Sequence, residues 1–101
     1  MNRVKMTKIV DRVRYDTEKA TLIADDVYWD GHNMERGSTN RWLYRTKKGN
    51  YFLVRGTFWQ GEFDSLTPVD KEQALELYEG PLKEHYLEYE AAFPGVEIEE
   101  A

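Results

Sequence analysis

The sequence predicts an α+β domain: a small antiparallel β-sheet built on a central hairpin at about 41–59, with two C-terminal helices packed on one face. Three observations predict it. β-Forming residues recur at every second position on both sides of a glycine-bearing turn in Arg41 to Trp59, RWLYRTKKGNYFLVRGTFW. Strand-like segments come first and helix-like segments last, the order of an α+β chain. Charge divides along the same line: residues 1–60 hold 12 Lys/Arg against 7 Asp/Glu, a balance of +5, and residues 61–101 hold 2 against 12, a balance of −10.

Residues 1–14 begin irregular or extended, with Ile9, Val10 and Val13 as strand or core positions. Residues 1–12 and 95–101 are expected to be poorly ordered. Tyr15 to Ala20, YDTEKA, reads as a short turn that Asp16 or Thr17 caps through a side-chain oxygen. Thr21 to Tyr28, TLIADDVY, reads as a strand. Its Asp25-Asp26 pair argues for an edge position or a bulge, because a core tolerates unpaired carboxylates poorly. Trp29 to Asn40 is a polar, glycine-bearing loop.

In the hairpin, Gly49 suits the left-handed position of a three-residue turn with a bulge. That turn pairs Tyr44 with Phe52, Trp42 with Val54 and Arg41 with Arg55. One face then carries Trp42, Tyr44, Phe52, Val54 and Phe58. The other carries Arg41, Leu43, Arg45, Tyr51, Leu53 and Arg55. A two-residue turn would set Trp42 against Arg55 and mix the faces. The aromatic face is therefore expected to receive the helices. Beyond the hairpin, Leu66 to Val69 adds a short strand.

Asp70, followed three residues later by Gln73, forms a capping box at the start of the first helix. Ala74, Leu75 and Tyr78 make its apolar stripe, and Gly80-Pro81 stops it. Leu82, Tyr86, Tyr89 and Phe93 recur at i, i+4, i+7 and i+11, which predicts a second helix ended by Pro94-Gly95. Leu75, Tyr78, Tyr86 and Phe93 are expected against the aromatic face. Val96 to Ala101 is an acidic tail.

Composition narrows the function. A chain of 101 residues forms one domain, and 41% apolar with 14% aromatic content favours a folded protein. With no cysteine there is no disulfide and no thiolate chemistry. No run of 18 apolar residues marks a membrane span, and MNRVKMTKIV has no secretion-signal pattern, so a cytoplasmic protein is expected.

Asp25, Asp26, Asp30, His32 and Glu35 are the densest set of metal-capable side chains, but their spacing fits no strong metal template. A solvated loop is the simpler reading, and no cofactor is expected. His85 beside Glu84 and Glu88 reads as a surface histidine before a general base. The opposed pair Arg41 and Arg55, with Arg45 and Tyr51, forms an arginine face that needs an anion. An acidic helix of the same chain, an acidic partner protein or a phosphate would each serve. Lys47 and Lys48 add charge at the turn tip. Against nucleic acid stand the acidic last third and an isoelectric point near 5.0.

The motifs YDTEKA, WDGHN (Trp29 to Asn33) and LYRTKKGNYFLV (Leu43 to Val54), continued by PVDKEQALELYE (Pro68 to Glu79), resemble a family of short uncharacterised bacterial proteins common in prophages and other mobile elements. The resemblance covers roughly residues 13–80 and brings no catalytic residue or cofactor with it. It implies a small accessory protein of the kind that binds and blocks host machinery. The expectation is thus a non-enzymatic binding protein acting through protein–protein contact. Its contact residues would be Arg41, Arg45, Tyr51 and Arg55 on the sheet, or Glu84 and Glu88 on the second helix. A nucleic-acid-binding regulator using the arginine face is the alternative, and a metal-dependent enzyme at the Asp25–His32 loop the second. The aromatic-rich sheet would equally serve as a homodimer surface.

Overall fold

The computed structural model describes residues 4–27, 39–57 and 63–101. Its first two strands, β1 (Thr7–Val10) and β2 (Val13–Asp16), form a hairpin of their own. Then come β3 (Thr21–Asp25), β4 (Thr39–Arg45), β5 (Tyr51–Thr57) and β6 (Ser65–Val69). Helix α1 (Lys71–Glu79), the two-residue strand β7 (Glu84–His85) and the short helix α2 (Tyr89–Ala92) complete the chain. The second sheet has five antiparallel strands in the order β6-β5-β4-β3-β7. The α+β class holds, with a larger sheet and shorter helices than the sequence suggests.

The central hairpin has the expected register: Arg41 faces Arg55, Trp42 faces Val54 and Tyr44 faces Phe52. Its turn closes as the glycine requires. Gly49 sits at φ 88°, its N–H donates to Thr46 O at 3.0 Å, and Thr46 N–H donates to Asn50 O at 2.7 Å. Asp70 caps α1: its carboxylate accepts from Gln73 N–H, and the Gln73 side chain accepts from Asp70 N–H. Asp16 caps the 15–20 turn by accepting from Glu18 N–H at 2.9 Å. The strand that ends at Asp25 has its register shift between Leu22 and Ala24, and only the two residues of β7 lie beyond it; Asp26 follows the strand.

The helices cover the opposite face from the one expected. Leu43, Tyr51, Tyr78, Leu82, Ala92 and Phe93 form one buried cluster, with Leu53 and Leu75 packed against it. The aromatic face, with Trp42, Tyr44, Phe52, Val54 and Leu66 buried and Leu22 of β3 beside them, receives Tyr15, Val10 and Met6 instead. Tyr15 meets Phe52 edge-on at 5.6 Å, and Tyr44 stacks on Phe52 at 5.0 Å. The reason is the N-terminal hairpin. Residues 7–12, read as poorly ordered, belong to it, and Lys8 Nζ donates to Leu66 O at 3.3 Å across the layers. Once it occupies the larger rings, the helices take the smaller apolar set between the arginines. Phe58 lies outside the described residues.

The second helix is also corrected. Of it, only Tyr89–Ala92 is helical, and Glu84–His85 instead pairs with β3, with Tyr86 N–H donating to Ile23 O at 2.9 Å. A continuous helix would stack Glu84 under Glu88, a repulsive i, i+4 pair. It would also leave the outer edge of β3 without its hydrogen bonds at Ile23 to Asp25. Tyr86, expected in the core, is 55% exposed.

Candidate anion-binding cleft

The arginine face is not an open surface. Arg41 donates through its backbone N–H and its Nε to the Asp26 carboxylate, at 2.7 and 3.0 Å. Tyr51, expected as an exposed contact residue, is buried: its ring stacks on Phe93 and its hydroxyl donates to Ala92 O at 2.7 Å. Arg55 is half-buried and engaged. Arg45 is half-buried too, its guanidinium lying against Gly49, and its Nε has no acceptor among the described residues. The helical layer that covers Leu43 accounts for the burial of Tyr51.

The acids fall elsewhere. Glu84 on β7 and Glu88, which precedes α2, are exposed, so both remain open to a partner. Asp25 is buried, accepting from Tyr86 Oη–H at 2.7 Å and from Val27 N–H at 3.1 Å. Burial pushes its pKa above the ordinary value, and Asp26 and Glu84 push the same way. Asp25 and Asp26 of the suspected metal loop thus serve other partners. Asp30, His32 and Glu35 lie outside the described residues, and no metal-capable cluster of three is found among those described. The His85 ring stacks on Tyr78 at 3.7 Å and its Nε2 bonds Tyr78 O, a structural contact at the end of α1.

Cationic side chains gather at the end of the molecule where two hairpin turns meet. Arg12, Val13, Arg14 and Asp16 of the first hairpin and Lys19 of the turn after it, with Thr46, Lys47, Lys48 and Asn50 around the central turn, line a cleft of about 450 Å³. Its five cations are exposed, and none has an ion-pair partner among the described residues. The lining holds one carboxylate, Asp16, already capping its own turn. Local geometry supplies the cations. A two-residue turn joins β1 to β2, with Asp11 at φ 51° and Arg12 at φ 66°. The left-handed backbone costs a side-chain-bearing residue roughly 1–2 kcal/mol. It places Arg12 at the tip, in one lining with Arg14 and Asp16, which share a side of β2 by strand alternation. Lys47 and Lys48 occupy the first two positions of the central turn.

Like charges held together without counterions repel, and a bound anion relieves the repulsion. The cleft is suited to binding an extended or branched anion. Sequence reasoning found Lys47 and Lys48 but missed Arg12, Arg14 and Lys19. The available signal was the alternation in VDRVRYD, weakened because its turn lacks the usual glycine.

The chain matches no family model, no curated protein and no solved structure. The resemblance to mobile-element proteins rests on its motifs alone. Among the described residues, no helix is long and apolar enough to cross a membrane.

Proposed function

We propose that this chain is a non-enzymatic, cytoplasmic binding protein that acts through protein–protein contact, its basic cleft holding an acidic segment of the partner. The observation that carries the reading is the cluster Arg12, Arg14, Lys19, Lys47 and Lys48 around one cleft, without ion pairs among the described residues, in a chain of net charge −5. A short acidic segment satisfies the cleft and goes no further. A polynucleotide runs past it and meets the acid-rich remainder of the surface. For an accessory protein of a mobile element, the partner would be host machinery, including defence machinery.

The test is fluorescence anisotropy of a labelled oligoglutamate peptide at low salt, beside single-stranded and duplex oligonucleotides. The peptide is expected to bind, to weaken as salt rises, and to lose binding in the Lys47→Glu/Lys48→Glu variant. No binding at low salt would sink the proposal. Oligonucleotide binding tighter than peptide binding, and lost in the same variant, would transfer the cleft to nucleic acid.

A further inference from the structure

The cleft has an acidic segment at hand in its own chain. Residues 96–101 read VEIEEA, and Glu97, Glu99 and Glu100 are exposed and without ion pairs among the described residues. Gly95, at φ 85° with nothing within 4 Å of its side-chain position, turns the chain out of the core. Val96 is the last anchored residue, packed against the helix-side cluster with its N–H donating to Phe93 O at 3.3 Å.

The root of this tail lies beside the turn that walls the cleft. Pro94 lines a smaller cavity, about 260 Å³, with Arg45, Gly49, Asn50 and Lys71. Asn50 also lines the basic cleft, so the two cavities sit on either side of the same β4–β5 turn. Five extended residues reach about 16–18 Å. Rounding the ribbon from one packed layer to the next requires about 10 Å. Cations outnumber acids along the path: Arg45, whose Nε has no acceptor among the described residues, and Lys71 come first, beside Asp70, then Lys47 and Lys48, with Asp16 the one carboxylate of the cleft.

We infer that the acidic tail, Glu97 to Ala101, is a tethered occupant of the basic cleft of its own chain and competes there with the acidic segment of a partner. The inference rests on reading the cleft as a site for acidic peptide. The structure shows the tail outside the cleft, so docking is an exchange between two positions. In the docked position Glu97 faces Arg45 and Lys71, and Glu99 and Glu100 face the turn lysines. Exposed Ile98 then meets Val13, the apolar side chain of the lining. Each exposed ion pair is weak, but the tether raises the local concentration of the tail to about the millimolar range. The tail therefore sets a threshold that a partner segment must exceed in charge or length.

Two measurements on the full chain test this. The first records tail amide NMR shifts in the wild type and in Lys47→Glu/Lys48→Glu. Docking predicts that Glu97 to Ala101 shift on reversal of the lysines, and that added salt moves the wild-type signals toward the same values. The second compares oligoglutamate affinity in the wild type and in the Glu97→Gln/Glu99→Gln/Glu100→Gln variant. Neutralising the tail should tighten binding about five- to tenfold at low salt. Peptide binding of equal strength in both chains, with tail amides indifferent to the lysines, would overturn the tail inference and leave the cleft reading intact. Peptide binding to neither chain would remove the cleft reading, and the tail shifts would still decide whether the tail docks.

Discussion

Phe52 is the position at which the two-layer arrangement can be tested most sharply. Its side chain is fully buried, with Tyr44 stacked at 5.0 Å and Tyr15 edge-on at 5.6 Å. Truncating a buried phenylalanine costs about 3–5 kcal/mol in lost transfer energy and residual cavity. A domain of this size has about 5–15 kcal/mol in all. Phe52→Ala should therefore remove about a fifth or more of the stability and lower Tm by some 15–30 °C. Urea unfolding followed by tryptophan fluorescence reads the change. The more specific measurement is the double-mutant cycle with Tyr15→Ala. If the N-terminal hairpin lies on this face, the two substitutions couple, by about 0.5–1.5 kcal/mol for an edge-on ring pair. Additive effects would refute the packing of the hairpin on the aromatic face, even if Phe52→Ala alone were severe. A loss below about 1 kcal/mol for Phe52→Ala would refute the core assignment itself.

Two further outcomes follow from local geometry. Asp25 has a folded pKa raised by burial, so the fold binds its proton more tightly than the unfolded chain does. The stability this adds is complete below the ordinary value of 3.8 and is lost as pH rises through the higher folded value. Asp25→Asn, which keeps an acceptor for Tyr86, should gain on the wild type progressively as pH rises from about 4 toward neutrality; urea midpoints that keep a constant difference across that range would contradict it. Gly49→Ala should cost about 1–2 kcal/mol, because φ 88° is left-handed and the new methyl would sit 3.3 Å from the Arg45 guanidinium. An unchanged urea midpoint would mean that the turn is not the one described.

How far the fold could be read from the sequence depended on how local the signal was. The central register followed from Gly49 and the alternation on either side of it, since a slip of one residue mixes Trp42 with Arg55. The α1 cap followed from Asp70 and Gln73, three residues apart. The packing of layers was harder, because both faces of this sheet are apolar in the middle. Leu43, Tyr51 and Leu53 bury as one side, and Trp42, Phe52 and Val54 as the other. An argument from alternation assumes one wet face, and it chose the larger rings for the helices. The spacing of Leu82, Tyr86, Tyr89 and Phe93 was a true helical period that the chain does not use. Pairing with β3 and the cost of Glu84 above Glu88 outweighed it. The cleft was half legible for a related reason: its lysines belong to a recognisable glycine turn, whereas Arg12 and Arg14 belong to a turn without glycine.

The same two-sided burial decides where a partner can dock. With helices on one face of the five-stranded sheet and the β1–β2 hairpin on the other, neither face is free. One edge strand, β6, carries Pro68, which has no N–H to offer a further strand. At the other edge β7 is only two residues long, too short to template an extended ladder. The end of the sheet where the turns cluster is open, and there the chain places five cations that no carboxylate claims among the described residues. A cluster serving only stability would draw counterions from the same chain, as Arg41 draws Asp26. The acids that could have done so, Glu97, Glu99 and Glu100, are held instead on a tail able to approach and withdraw. That separation of charge is unfavourable for a resting fold and useful for one that exchanges an internal acidic segment for an external one.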